Sequence, residues 1–233
     1  PLSYLTAEKL AEEFEKMGQE AGFNVEVLNK KKIEALRMGG ILAVNKGSID
    51  PPTFSIMEWK PQNAKNKKPI TLVGKGVVYD TGGLSLKPTA KSMDYMKSDM
   101  GGGAVVAATL FALAKNNIPL HVIGLVPATD NRPDGNAYVP GDVITMFDGT
   151  TVEIKNTDAE GRLLLADALS YAKKYNPELV IDVATLTGSA PMIAGQHGLI
   201  AMGNTAQHLK TLKQTGENIF ERVVEVPLWE EFA

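Results

Sequence analysis

Apolar positions along the chain fall into alternating helix and strand signatures. Thr6 heads a segment in which Leu10, Phe14 and Met17 recur at helical spacing before Gly22, which predicts a capped helix. Residues 23–28 alternate as a short strand, and Asn29 heads a second helix that runs to Gly39-Gly40. A strand is predicted over 53–59, a polar Lys/Asn loop over 61–68, and a buried strand over 70–73 that ends at Gly74.

Further along, 104–113 is a small-residue helix, apolar nearly all round and therefore buried. Strands follow at 120–126 and 151–154. A helix over 161–175 then presents Leu164, Leu165, Ala168 and Leu169 on one face. A buried strand is predicted over 179–183, a shorter one over 199–202, helix over 204–220 and an amphipathic stretch over 223–233. This alternation indicates an α/β fold with a mixed, mostly parallel central sheet and helices on both faces. Ligands in such sheets sit at the carboxyl ends of strands, which directs attention to the residues after Val73, Ile154 and Val183.

The totals narrow the chemistry. With 233 residues, 44% of them hydrophobic and 22% charged, the chain has material for one α/β domain or a domain plus a small appendage, and it is neither disordered nor a coiled coil. No apolar run approaches the ~18 residues that would suggest a membrane span. A net charge of −3 and the lack of a basic stripe argue against nucleic-acid binding. There is no Cys, so disulfides, thiolate catalysis and Cys-ligated zinc are excluded. His121, His197 and His208 are too scattered for a paired-His metal site. The chain opens at Pro1 without an initiator Met, and both ends read as cut from a longer polypeptide.

Two segments concentrate charge beside apolar runs. VGKGVVYDTGGLSLKPTAKSMDYMKSDMGGG, residues 73–103, places Lys75 between glycines after a buried strand and Asp80 after Val77-Val78-Tyr79. A solvated, loosely paired loop is one reading; charges in such settings otherwise need a partner or a metal. Gly74-Lys75-Gly76 is a poor phosphate cradle, because neither G-x-x-x-x-G-K-[ST] nor G-x-G-x-x-G occurs. Gly101 to Gly103 are read as allowing close helix packing.

The second segment, KNTDAEGRLLL at 155–165, carries Asp158, Glu160 and Arg162 through a strand-to-helix junction. Extended geometry would point all three one way, whereas an ordinary helix start with acids near its positive end is the plainer alternative. Asp80, Asp99, Asp158 and Glu160 would repel if they converged without a cation, and carboxylates can bridge two ions ~3.5–4 Å apart.

Both segments resemble the signatures of the leucine aminopeptidase, or cytosol aminopeptidase, family of dinuclear-metal exopeptidases. Asn156-Thr157-Asp158-Ala159-Glu160-Gly161-Arg162-Leu163 is similar to its most distinctive octapeptide throughout. Residues 75–102 resemble its first metal-binding segment with one extra residue near Lys91-Ser92, and the likeness continues through PATDNRPDGNAYVPGD (127–142) and ATLTGS (184–189). The resemblance implies one catalytic domain over 1–233. The family's amino-terminal domain would precede Pro1, and further chain, on which Trp229 and Phe232 would pack, would follow.

It also implies roles. Asp80 and Glu160 would bridge two divalent ions, Asp158 would complete the first site, and Lys75 and Asp99 the second. The ions would be zinc, or manganese, magnesium or cobalt in one site. Lys75 could ligate only as a neutral amine, with its pKa far below the free value. Lys87 would donate to the oxyanion, and Arg162 would hold a bicarbonate serving as general base. Met96, Thr185 and Gly188 would wall the pocket for the first side chain, while Asn156 and the Leu186 carbonyl would orient the peptide backbone. Asp94 would hydrogen-bond structurally, and the three His would be ordinary. The family further implies peptide substrates with apolar amino-terminal residues, a cytoplasmic location and a homohexamer. A metal-binding scaffold without turnover is the alternative.

Overall fold

A computed structural model of the chain describes residues 2–232 apart from the Phe232 side chain, so the readings made at Pro1, at Ala233 and for Phe232 packing lie outside the described residues. Two units, residues 1–185 and 186–233, are each described by themselves.

The first unit runs α1 (Ala7–Ala21), β1 (Asn24–Leu28), α2 (Lys30–Ala35), α3 (Gly39–Asn45), β2 (Thr53–Trp59), β3 (Ile70–Gly74) and β4 (Gly76–Asp80). It continues with α4 (Gly101–Lys115), β5 (Val122–Asn131), β6 (Val143–Thr145), β7 (Thr151–Glu153), α5 (Glu160–Ala172) and β8 (Leu179–Val183). Local chemistry sets the early boundaries. The Thr6 hydroxyl accepts from the Lys9 N–H and Gly22 closes α1 at φ 87°, while the Asn29 side chain accepts from Lys32 N.

The second helix is shorter than its pattern predicts. Arg37 turns to φ 57°, and Gly39 opens α3 instead of closing α2. A Cβ on Gly39 would come within 1.8 Å of the Thr145 carbonyl oxygen, so this glycine permits close approach and does not end a helix.

The central sheet has the order β1-β2-β5-β3-β8, with β4 also paired to β5. The β3/β5, β4/β5 and β3/β8 pairs are parallel; β1/β2 and β2/β5 are antiparallel. Helices cover both faces. In β5, Val122 and Val126 pack with Phe14 of α1 and Leu110 of α4, whereas Ile123 and Leu125 pack with Ile41 of α3 and Leu164 of α5. That two-faced burial makes β5 read as a continuous apolar run. The strand extends past Pro127 to Asn131, five residues beyond the predicted end. Residues 151–153 form a separate antiparallel hairpin with β6 and do not join the central sheet.

Residues 70–80 form one extended path with a break at Lys75. Val73 pairs with Leu125 and Gly76 with Ala128, so the register along β5 continues across the break. At Lys75 the N–H donates instead to Val183 O of β8 at 3.0 Å, and its carbonyl accepts from Gly103 N of α4 at 2.8 Å. The glycines at the start of α4 allow this approach: a Cβ on Gly102 would lie 2.0 Å from Val183 O. The expected packing role of Gly101 to Gly103 is therefore met at Gly102 and Gly103.

The second unit holds α6 (Ala190–Ala194), β9 (Gly198–Ala201), α7 (Ala206–Ile219) and β10 (Arg222–Glu225). β9 and β10 pair in parallel, so the predicted amphipathic stretch begins as a strand.

Gly102→Ala should lower stability by roughly 1–3 kcal/mol, the usual cost of overpacking against an immovable neighbour. Gly135→Ala, with open space around it and an ordinary φ, should stay within about 0.5 kcal/mol of wild type. Urea unfolding of both variants checks the pair, and equal stability would show that α4 can retreat from β8.

Candidate metal centre

The break at Lys75 and the end of β4 together make the centre. Lys75 and Asp80 come from the 70–80 path, Asp99 ends the 3-10 turn Met93–Ser98, and Glu160 opens α5. All four are buried, at 1–3% exposure, in a setting where charge is seldom left unpaired. One oxygen each of Asp80, Asp99 and Glu160 lies within 4.8 Å of the others.

Two lysines contact this cluster. Lys75 Nζ lies 2.8 Å from Glu160 Oε1 and 2.8 Å from Asp99 Oδ2, and it donates to Asp99 Oδ1 and to the Thr185 carbonyl. Lys87 Nζ lies 3.0 Å from Asp80 Oδ2 and 2.5 Å from Asp158 Oδ1. Gly161 leaves the channel for Lys75: a Cβ there would stand 2.8 Å from Cε and 2.9 Å from Nζ.

Asp158 does not lie on an extended strand. Asn156 caps the 3-10 turn Thr157–Ala159, its side chain accepting from Asp158 N at 2.7 Å, and α5 starts directly afterwards. The expected alternation of Asp158, Glu160 and Arg162 is thereby corrected. Coiled backbone carries Asp158 and Glu160 to the cluster, while Arg162 is exposed on α5 outside the ion pairs. Thr157 fastens this turn to the 81–87 loop. Its hydroxyl donates to Gly82 O at 2.7 Å and accepts from Ser85 N at 2.8 Å, and its own N–H donates to Ser85 Oγ.

The electrostatics follow from burial. Desolvation is the largest influence on Glu160 and, with Asp80 and Asp99 adding repulsion, outweighs the Lys75 charge, so the carboxyl is pushed up to about 7. Burial also raises Asp99 and Asp158. For Lys75 desolvation favours the neutral amine, yet Glu160 and Asp99 outweigh it and hold the ammonium above its ordinary range. Glu160, Asp99 and the Thr185 carbonyl surround the nitrogen and favour its charged form, whereas the depressed pKa expected for a ligating amine applies with metal ions beside it.

The donor set fits divalent cations. Four carboxylates meet two ammonium groups, leaving an excess of negative charge in a buried place. Asp99 Oδ2 and Asp158 Oδ1 are buried and make no hydrogen bond, although each contacts a lysine nitrogen. Oxygen donors with one amine suit zinc, manganese, magnesium or cobalt.

The remaining predicted residues are distributed around this cluster. Thr185 donates to Asp99 Oδ1 at 2.7 Å, and Met96 is half-buried in the turn that ends at Asp99. Leu186 and Gly188 belong to the second unit. Asp94 is exposed, and its backbone N–H donates to Thr89 O at 3.1 Å. His121 pairs with Glu58, outside the acidic cluster.

Sequence reasoning assigned no role to Asn131 or Tyr138. Asn131 Nδ2 donates to Asp80 Oδ1 at 2.9 Å and to Thr157 O at 3.0 Å, and the Tyr138 hydroxyl donates to the same carbonyl at 2.6 Å. Both residues lie inside the 127–142 segment that carried the family likeness, and that was their only signal.

Known proteins share this arrangement of chain. The sequence model of the cytosol aminopeptidase family, catalytic domain, matches residues 1–233. A probable cytosol aminopeptidase of Chlorobaculum tepidum is 54% identical over 233 residues, covering 100% of this chain and 46% of that protein. One from Methylobacillus flagellatus is 45% identical over 230 residues, covering 99% and 46%. Among solved structures, Caenorhabditis elegans leucine aminopeptidase superposes with a TM-score of 0.93 at 35% identity, over 98% of this chain and 46% of that one. The bottromycin maturation enzyme BotP, in complex with Mn, gives 0.93 at 37% identity, over 99% and 50%. The chain thus spans about half the length of the relatives it matches.

Proton release on metal binding tests the electrostatics. At pH 6 both Lys75 and Glu160 carry protons that ligation must displace, while at pH 8 only Lys75 does. Calorimetric titration with Mn²⁺ in buffers of different ionisation enthalpy should therefore release about one more proton per chain at pH 6 than at pH 8. The same raised carboxyl contributes stability in chelator below its unfolded pKa, and that contribution is lost as pH rises through about 7. Equal proton counts at the two pH values would contradict this.

Proposed function

We propose, for a chain that belongs to the cytosol aminopeptidase family across residues 1–233, that its acidic centre is the two-metal site of an exopeptidase that hydrolyses amino-terminal peptide bonds. The observation that carries this reading is the burial of Lys75, Asp80, Asp99 and Glu160 in one cluster, with an oxygen of each carboxylate within 4.8 Å of the others.

Asp80 and Glu160 would hold both ions, Asp158 the first, and Lys75 and Asp99 the second. When bound, such ions polarise the scissile carbonyl and lower the pKa of water enough to make it a nucleophile near neutral pH. Zinc in both sites, or manganese, magnesium or cobalt in one, suits the donors; the Mn complex of BotP supports manganese as one choice.

The chain's own residues do the rest. Lys87 reaches Asp80 and Asp158 with an ammonium that stays charged, and it would donate to the oxygen that gains charge as the tetrahedral centre forms. Such a donor typically contributes ~3 kcal/mol. Asp99 offers a negative charge to the peptide's free α-amine, which would confine cleavage to the first residue. Arg162 would hold a bicarbonate that takes the water's proton, the planar guanidinium matching a carboxylate-like anion in two parallel hydrogen bonds. Met96 and Thr185, flanking Asp99, would face the first side chain and favour apolar residues such as leucine. Asn156 would orient the peptide backbone while capping the Asp158 turn. In this reading the whole protein works in the cytoplasm as a homohexamer, and the relatives' name, cytosol aminopeptidase, supports the location.

With Zn²⁺ or Mn²⁺ supplied, wild type should hydrolyse a leucine-anilide, and Asp80→Ala should lose both bound ions and hydrolysis. Lys87→Ala should keep its metal while kcat falls by about 10²–10³. Loss of metal in Lys87→Ala would mean that Lys87 holds the site together. Metal binding by wild type without turnover at any loading would favour the scaffold reading.

A further inference from the structure

We infer that Tyr138 is a positioning residue for the ion held by Asp158, acting through the Thr157 carbonyl and Asn131 to fix Asp158 against Asp80. The inference rests on the two-metal reading above. Asp80 and Asp158 come from different elements, the end of β4 and the turn before α5; Lys87 touches both carboxylates, and a second set of partners joins the two elements behind them.

Thr157 O is the junction of those partners. It accepts from Tyr138 OH at 2.6 Å and from Asn131 Nδ2 at 3.0 Å, and the same Asn131 nitrogen donates to Asp80 Oδ1 at 2.9 Å. Tyr138, Thr157, Asn131 and Asp80 are all buried, at 0–2% exposure, so water cannot substitute for a lost donor.

The phenol suits the task for two reasons. Its ring belongs to the core cluster that includes Leu163 and Leu164 of α5, which ties the hydroxyl to the same helix that Glu160 opens. Burial, reinforced by the charges of Glu160, Asp80 and Asp158, also keeps the hydroxyl protonated far above neutral pH, so it remains a donor wherever the carboxylates are ionised. A donor on Thr157 O therefore locates the turn without adding charge to the centre. Partners of this kind commonly change metal affinity by 10–100-fold when removed.

The test is calorimetric titration of the full chain with Mn²⁺, with the melting temperature measured in parallel. Tyr138→Phe removes only the hydroxyl. It should weaken one of the two binding events by 10–100-fold and leave the other within twofold. Asn131→Leu, which removes the second donor on Thr157 O and also a bond to Asp80, should weaken the same event at least as much. Tyr171→Phe, at another buried tyrosine of that core, should leave both events unchanged whatever it does to melting. If Tyr138→Phe lowers melting but leaves both affinities within twofold, Tyr138 is structural only and the inference is overturned. If wild type binds no Mn²⁺, the two-metal reading itself fails, a result distinguishable from failure of the inference alone.

Discussion

Excess negative charge in a water-poor site is the constraint on which the rest depends. Four carboxylates and two lysine ammonium groups share one centre, and three of the carboxylates are almost fully buried. Burial of like charges is unfavourable unless cations and hydrogen bonds hold them. Each surrounding element can be understood as meeting that demand: Lys75 threads past Gly161, Asn131 and Gly82 donate to Asp80, Thr185 donates to Asp99, and Lys87 closes over Asp80 and Asp158.

The sheet makes this economical in chain length. Because β3 and the start of β4 follow one register along β5, which shifts by one residue between Val77 and Asp80, a single extended path delivers Lys75 and Asp80 five residues apart. Lys75 leaves the β5 ladder, and its backbone bonds go to β8 and α4. The same break brings the glycine-rich start of α4, and hence Asp99 just before it, against the strand ends. Fold and site are therefore the same set of contacts at this point.

The elements whose side chains bury on both faces, β3 and β5, were legible as apolar runs, and the glycines beside Lys75 marked it as unusual. Geometry set by tertiary contact was not. Arg37 breaks a pattern that reads as one helix, Pro127 sits within a strand it would be expected to end, and the turn at Thr157 coils where alternation suggested extension. Asn131 and Tyr138 stand in a polar segment with no periodicity, so only their meeting at Thr157 O shows what they do. Composition without Cys and with three scattered His excluded only the commoner metal sites; four acids beside apolar runs already suggested divalent cations, while the ligand roles, Lys75 above all, came through the octapeptide and the 75–102 segment.

The central claim is that the buried cluster holds two divalent ions. Its most direct test is a crystal structure of the Mn²⁺-soaked protein with data collected at the manganese absorption edge. Two anomalous peaks about 3.5–4 Å apart, bounded by Lys75, Asp80, Asp99, Asp158 and Glu160, are the predicted result. Absence of both peaks at full Mn²⁺ saturation, with Lys75 still paired to Asp99 and Glu160, would contradict it.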